Sequence, residues 1–209
     1  MSVVRLRRLV LALGTLIVAA PLVDAALPKH TLEPEDASLA GQLLIAATTM
    51  GDPRFRQTVI LIARHNKDGA FGITINRPVG ERSLASLLEK PGEKAEPILG
   101  SMVIFAGGPV ETQSGFIVHT TDYSMAGTLE INKQFAVTTS PNILRDIASN
   151  KGPQRSLLAF GYAGWAPGQL EAELARNDWL TTTADISLVF EERRERVWDA
   201  AMARQSRDQ

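Results

Sequence analysis

Short apolar runs separated by turn residues occupy most of the chain from residue 41 onward. Residues 58–63 are β-branched or apolar throughout, which is typical of a strand covered on both faces. Asn66-Lys67-Asp68-Gly69 supplies turn residues before a second run at 70–76, so the two runs predict an antiparallel hairpin. Other runs predict short strands at 41–47, 102–106, 115–119, 129–131, 135–138, 157–160 and 185–190.

Apolar residues spaced three or four positions apart predict helices between these strands. Leu84, Leu87 and Leu88 show this spacing, and Ser140-Pro141 is typical of a helix start. Because the strands come in runs with helices inserted irregularly, the pattern favours an α+β fold. Helices are predicted over 83–90, from 140 through 147, from 167 to about 177 and over 191–204.

The first 25 residues differ in kind from the rest. Arg5, Arg7 and Arg8 precede an apolar stretch at 9–23, and the small residues at 23–25 suit a cleavage site. The stretch of roughly 15 apolar residues is shorter than the roughly 20 that span a bilayer. We therefore expect a signal peptide over 1–25, a polar lead-in over 26–38, a periplasmic or secreted protein and no permanent membrane anchor. The alternatives are an uncleaved anchor or a leader added by an upstream start codon.

The amino-acid composition limits the chemistry that is available to the chain after residue 38. With 209 residues and 44% hydrophobic content, the chain can bury one substantial core, so we expect one folded domain over 39–209. The absence of cysteine excludes disulfides, thiol catalysis and thiolate metal sites. A net charge of −1 does not create the basic field that favours phosphate backbones, so direct nucleic-acid contact is not expected.

Common catalytic motifs are absent from the sequence. It has no phosphate-binding loop, no His-Glu-x-x-His zinc helix, no Gly-x-Ser-x-Gly elbow and no G-x-G-x-x-G fingerprint. The sequence therefore predicts no metal, no cofactor and no catalytic residue. For His119 we expect an imidazole at a strand end, bonded to nearby backbone; the alternative is a group that lines a pocket with Asp122 or Ser114.

Glycine clusters mark two corners of the fold. Gly107-Gly108 follows an apolar strand, which predicts a redirecting turn; the alternative is an anion-binding nest that Arg54 or Arg77 would complete. Residues 161–171 predict a tight strand-to-helix corner over which Trp165 packs, with Gln169 and Glu171 capping the helix. Its free N–H groups could instead hold a small anion. Asp52 before Pro53 predicts a turn.

Several of these blocks, in this order, resemble the YqgE/AlgH family over roughly residues 39–198. The resemblance implies a single α+β domain with a bent, barrel-like mixed β-sheet flanked by helices. It also implies a link to transcriptional regulation and the cytosol as the usual compartment, and it carries over no catalytic residues. The matching blocks lie at 41–44, 50–55, 69–72, 76–78, 107–110, 116–119, 161–171 and 177–180.

Three functional hypotheses follow. The first is a non-enzymatic binding or regulatory module whose partner is a protein or a small anionic ligand. The second is an enzyme that uses Asp52, Arg54, His119 and the Trp165 corner. The third, DNA binding through residues 193–196, is opposed by the acid interleaved there, which favours a solvated helix surface. The candidate ligand-binding residues are Asp52, Arg54, Arg77, Gly107, Gly108, His119, Gly161, Gly164, Trp165 and Gln169.

Overall fold

A computed structural model describes residues 38–89 and 98–207. The predicted leader over 1–25 and all but the last residue of the lead-in predicted over 26–38 lie outside the described residues. Among the helices in the two described ranges, none is long and apolar enough to cross a lipid bilayer.

The described ranges contain ten strands, four α-helices and three short helical turns, Pro53–Phe55, Ser187–Glu191 and Arg194–Arg196. The predicted hairpin is present as β2 and β3, which pair in antiparallel register from Ile60–Thr74 to Asn66–Gly69. The strands are β1 (Gln42–Ala46), β2 (Val59–Asn66), β3 (Gly69–Thr74), β4 (Pro78–Ser83), β5 (Ser101–Ala106), β6 (Val110–Thr120), β7 (Leu129–Glu130), β8 (Phe135–Thr138), β9 (Ser156–Trp165) and β10 (Trp179–Thr183). The helices are α1 (Leu84–Leu88), α2 (Asn142–Ala148), α3 (Gln169–Ala175) and α4 (Val197–Gln205).

All ten strands join one curled sheet that forms a half-barrel. Its main path runs β10-β1-β2-β3-β9-β6-β8-β7, and β5 adds to β9 while pairing with β4. The β5–β9 pair is parallel, whereas the other described pairs are antiparallel. The bent mixed sheet and the α+β class are confirmed.

The core lies on both faces of this sheet. Leu43 and Ile45 of β1 pack in a cluster that includes α4, whereas Leu44 and Ala46 pack in a second cluster that includes α3. Both clusters also take alternate residues of β2. Burial on two faces explains why β1 and β2 are apolar at nearly every position.

The sheet bends where β9 passes from one neighbour to another. Its first half pairs with β5 and its second half with β3, and Gly161 between them has a φ of +76°. A Cβ on Gly161 would lie 2.4 Å from the Gly108 carbonyl oxygen, and one on Gly107 would lie 2.2 Å from the Gly161 oxygen. The glycines therefore permit a close backbone crossing between the β5–β6 connection and β9.

Two predictions at the end of the chain are wrong. Residues 161–165 are not a corner, because β9 continues to Trp165 and α3 begins at Gln169. Residues 185–190 do not form a strand but a helical turn, Ser187–Glu191, which buries Leu188 and Val189. The Asp185 carboxylate accepts a hydrogen bond from the Leu188 amide and so stabilises this turn at its start.

Two strands were not predicted from the pattern. All six residues of β4 are exposed, so its sequence does not show the alternation of apolar and polar residues that predicts a strand. In β10 three threonines follow Trp179 and Leu180, and the strand pairs with the edge of β1. β4 and β10 are identified as strands by their backbone pairing with β5 and β1 in the structure.

Candidate functional site

A cleft lies at the end of the sheet where β9, α3 and β10 meet the connection between β1 and β2. We call it the tryptophan cleft and define it by Asp52, Arg54, Trp165, Glu173, Arg176, Asp178 and Trp179. It has a volume of about 380 Å³. This volume falls within the range of small-molecule pockets.

Aromatic rings form the apolar wall of the tryptophan cleft. Trp165 and Trp179 are 7% and 3% exposed, and their rings meet edge to face with centroids 6.1 Å apart. The Phe55 ring lies 5.6 Å from that of Trp179, again edge to face. The wall is therefore held by packing, and little side-chain freedom remains for a ligand to remove.

One carboxylate joins the two tryptophans. Each indole N–H, of Trp165 and of Trp179, donates to Glu173 Oε2 at 2.8 Å, and Gln169 Nε2 donates to Glu173 Oε1 at 2.9 Å. A carboxylate has about four acceptor positions, so these three bonds leave acceptor capacity on Oε1. Within the described ranges, no arginine or lysine pairs with Glu173.

Two arginine–aspartate pairs flank this carboxylate, each between residues two positions apart. Arg54 Nη2 lies 2.6 Å from Asp52 Oδ2, and Arg176 Nη2 lies 2.7 Å from Asp178 Oδ2. The hydrogen bond from the Arg54 side chain lowers the pKa of Asp52, and the same bond raises the pKa of Arg54. Both pairs are thus neutral overall, and Glu173 carries the one uncompensated charge among the described residues that line the cleft.

Local sequence explains how these groups are positioned. Asp52 Oδ1 accepts from the Arg54 backbone N–H at 2.9 Å, which fixes the turn at Pro53. Gln169 Oε1 accepts from the Ala166 N–H at 3.1 Å and so closes the corner before α3. Glu171 does not cap the helix through its side chain but bonds His65 Nε2 at 2.7 Å, linking α3 to β2.

The structure brings half of the predicted site residues together in this cleft. Asp52, Arg54, Gly164, Trp165 and Gln169 line it.

The remaining predicted residues lie elsewhere. Gly107, Gly108 and Gly161 form the backbone crossing at the bend of β9, and the Gly107 N–H donates to the Phe160 oxygen at 2.7 Å. That amide is not available to an anion-binding nest. Arg77 lines a different cleft.

His119 is fully buried and does not line the tryptophan cleft. Its Nδ1 donates to the Thr120 carbonyl at 2.8 Å, so in the neutral ring Nε2 accepts from the Thr138 hydroxyl at 2.9 Å. Burial lowers the pKa of His119 and favours this neutral form. The arrangement of Asp52, His119 and Trp165 on one surface, which the enzyme hypothesis needed, is not formed.

Sequence reasoning missed four members of the cleft. Glu173, Arg176, Asp178 and Trp179 come from the end of α3 and the start of β10. The repeated two-residue spacing of Asp52–Arg54 and Arg176–Asp178 was a usable signal, but only the fold places the two pairs in one cleft. Over 38–89 and 98–207, no group of three or more His, Asp or Glu side chains could hold a metal ion.

The fold and the cleft together define a single α+β domain with a curled half-barrel sheet and a cleft of small-molecule size. The AlgH-like family model matches residues 43–209, and the chain belongs to this family. The matched range contains every residue that lines the tryptophan cleft.

Individual relatives agree with this assignment. A UPF0301 protein of Jannaschia sp. is 46% identical over 166 residues, which are 78% of this chain and 86% of the relative. A UPF0301 protein of Rhodospirillum rubrum is 43% identical and covers 83% of this chain and 90% of its own. The solution structure of the AlgH protein from Pseudomonas aeruginosa superposes with a TM-score of 0.70 at 44% identity, covering 80% of this chain and 89% of its own.

Proposed function

We propose that this AlgH-like protein is a non-enzymatic binding module whose tryptophan cleft holds a small ligand with an apolar, preferably aromatic, body and a cationic amino group. The observation that carries this proposal is the Glu173 carboxylate, which sits between two indoles without a cationic partner among the described residues.

The aromatic wall supports the apolar part of the ligand. Trp165, Trp179 and Phe55 present rings that already contact one another edge to face. Because the two tryptophans are almost fully buried, a flat hydrocarbon body would gain its apolar contact mainly on the partly exposed Phe55 ring, at about 25 cal/mol per Å² buried. Because the rings are packed before binding, the entropic cost of ordering them is small.

The charges of the cleft support the cationic part. Two arginines and three carboxylates line the cleft, and each arginine is neutralised by its own aspartate. The remaining carboxylate, Glu173, favours an ammonium group. The small anionic ligand expected from sequence is therefore not proposed for this cleft.

The same geometry favours binding over catalysis. A general acid or base needs a pKa near the working pH, and the hydrogen bond from Arg54 moves the pKa of Asp52 away from that range. Glu173 is held by three donors. Neither His65 nor His119 lines the cleft. We propose that any regulatory role acts through ligand occupancy and a protein partner.

Direct DNA binding is not proposed. Arg193 pairs with Glu195, and the Arg194 guanidinium is half-buried against backbone carbonyls, so the run over 193–196 does not present a continuous row of exposed, unpaired arginines.

Export of the protein is proposed separately, on the leader-like segment over 1–25. N-terminal sequencing of the protein from its native host should return a chain that starts after Ala25. A chain that starts at Met1 would contradict export.

Titration with phenethylamine, protonated at neutral pH, tests the binding function. Full-length protein labelled with fluorotryptophan gives one fluorine NMR signal for each of the three tryptophans, assigned with Trp→Phe variants. The signals of Trp165 and Trp179 should shift, whereas that of Trp198 should not. Glu173→Gln should weaken binding about tenfold, since it keeps the shape and removes the charge.

Glu130→Gln is the matched control, because Glu130 is exposed on β7 and does not line the cleft. It should leave the affinity within about twofold. Unchanged affinity in the Glu173→Gln variant, or no shift of either cleft tryptophan, would refute the proposed function.

A further inference from the structure

A second cleft lies where the end of β3 and the start of β4 face α4. We call it the arginine groove and define it by Arg56, Arg77, Val79, Arg194 and Trp198. Its volume is about 590 Å³. None of the seven residues that define the tryptophan cleft lines it, so the two clefts are separate.

Arg77 is anchored in this groove by neutral oxygen atoms. Its Nε and Nη2 donate to the Thr58 hydroxyl at 3.1 and 2.8 Å, and Nη2 also donates to the Arg56 carbonyl. No carboxylate among the described residues pairs with it. The guanidinium is therefore held in position, while its charge is not neutralised.

Arg194 is anchored in the same way from the opposite side. Its Nη1 donates to the Val189 carbonyl at 2.8 Å and to the Ile75 carbonyl at 3.4 Å, and its Nη2 donates to the Glu192 carbonyl. Burial lowers the pKa of Arg194, in contrast with Arg54 in the tryptophan cleft. A bound anion would offset the desolvation cost of the Arg194 guanidinium.

The other charged side chains that line the groove do not cancel the positive charge of Arg77 and Arg194. Arg56 is exposed, and its guanidinium makes no hydrogen bond to a described residue, so it can turn toward a ligand. Two carboxylates also line the groove. Glu195 is paired with Arg193, and Asp199 is exposed at the rim. Glu192 and Glu195 also attract the Arg194 guanidinium, but neither forms an ion pair with it. Three arginines thus face Asp199 as the one lining carboxylate that has no arginine partner among the described residues.

The groove also has an apolar side. Val79 is 66% exposed, and Pro78 beside it and the partly buried ring of Trp198 line the same space. A free oxyanion would fill only part of 590 Å³. The lining suits a molecule with a charged end and an apolar body.

We infer that the arginine groove binds a small phosphate monoester, with the phosphate on Arg77, Arg194 and Arg56 and the apolar body against Val79 and Trp198. After the bonds described above, Arg77 keeps both Nη1 hydrogens, and Arg194 keeps its Nε–H and one Nη2 hydrogen. These donors and the exposed Arg56 guanidinium can bond phosphate oxygens. This site is independent of the tryptophan cleft and would stand if the function proposed for that cleft failed.

Titration of the full-length protein with phenyl phosphate tests the site, with inorganic phosphate as a parallel arm. Phenyl phosphate should shift the fluorine signal of Trp198 and bind about fivefold or more tightly than inorganic phosphate, because its ring adds apolar contact. Arg56→Gln should weaken binding about fivefold or more, and Asp199→Asn should strengthen it about twofold.

Arg82→Gln is the matched control, since Arg82 is exposed near the far end of β4 and does not line the groove. It removes the same charge and should leave the affinity within about twofold. Equal affinity for the two phosphates would overturn the assignment, and so would equal losses in Arg56→Gln and Arg82→Gln. A shift at Trp165 or Trp179 in place of Trp198 would also overturn it.

Discussion

The tryptophan cleft and the arginine groove are built from the same residue types but balance their charges in opposite ways. In the tryptophan cleft, Arg54 and Arg176 are each neutralised by an aspartate two positions away, and a lone carboxylate remains. In the arginine groove, Arg77 and Arg194 are held by carbonyl and hydroxyl oxygens, and positive charge remains.

This difference shows that the number of arginines in a cleft does not decide which ligand it favours. What decides is whether the atoms that position each guanidinium also neutralise it. An aspartate does both, whereas a backbone carbonyl supplies the hydrogen bond without the charge. The two clefts of one sheet are therefore expected to select ligands of opposite sign.

Substitution of Gly161 should have the largest effect, because this residue permits the close backbone crossing at the bend of β9. Ala163 of the tryptophan cleft and Ala106 of the arginine groove lie next to this crossing in the chain. Gly161→Ala places a Cβ 2.4 Å from the Gly108 oxygen at a residue with a φ of +76°. We expect a loss of about 3 kcal/mol in the free energy of unfolding, measured by urea denaturation, and weaker binding at both clefts.

Gly115→Ala provides the control for that loss. The nearest atom to its added Cβ is a Leu158 methyl at 3.5 Å, which is ordinary contact. It should change the free energy of unfolding by less than about 1 kcal/mol. Equal losses in the two variants would mean that the crossing at Gly161 does not hold the bend.

Glu173→Gln should have the next largest effect on stability, and only the tryptophan cleft should respond. The variant turns two charge-assisted hydrogen bonds from indole N–H groups into neutral ones. We expect a loss of about 1.5 kcal/mol in the free energy of unfolding. Phenyl phosphate binding at the arginine groove should not change; a change there would show that the clefts are coupled.

Acid should destabilise the fold through His119, which lies in neither cleft. Because burial holds its pKa below the ordinary value of 6.5, the unfolded chain binds the proton more readily. The contribution of neutral His119 to the free energy of unfolding is therefore fully present above about pH 6.5, and it is lost as the pH falls below that value. His119→Gln should reduce this dependence in denaturation curves recorded from about pH 8 to about pH 5; an unchanged dependence would contradict it.

Arg176→Gln should have the smallest effect on stability and should sharpen the difference between the clefts. The arginine side chain is 60% exposed, so its pair with Asp178 contributes little, and we expect a change within about 0.5 kcal/mol. Loss of the arginine leaves Asp178 uncompensated, so calorimetry should show phenethylamine binding about twofold more tightly. Weaker binding would indicate that Arg176 itself contacts the ligand.

Sequence patterns predicted the parts of the fold that are buried on both faces. β1, β2 and β3 were found because residues such as Leu44 and Ile60 are apolar on each side of the sheet. β4 was missed because it is exposed throughout, and residues 185–190 were misassigned because burying Leu188 and Val189 by a helical turn needs the same apolar residues as a strand.

The candidate site was predictable only where it is local. Asp52, Arg54 and Trp165 stood out through their own neighbours in the chain, whereas Glu173 and Trp179 acquire their role through contacts across α3 and β10. Arg77 was noted as a cation, but nothing in the sequence shows that Thr58 would position it without neutralising it.

A competition between ligands of opposite charge on one sample tests most directly whether the two clefts select opposite charges. Fluorotryptophan-labelled protein would be titrated with phenethylamine and then with phenyl phosphate at constant ionic strength. We predict that the amine shifts the signals of Trp165 and Trp179, that the phosphate shifts that of Trp198, and that neither displaces the other. Shifts of the same tryptophans by both ligands, or displacement of one by the other, would contradict two clefts of opposite preference.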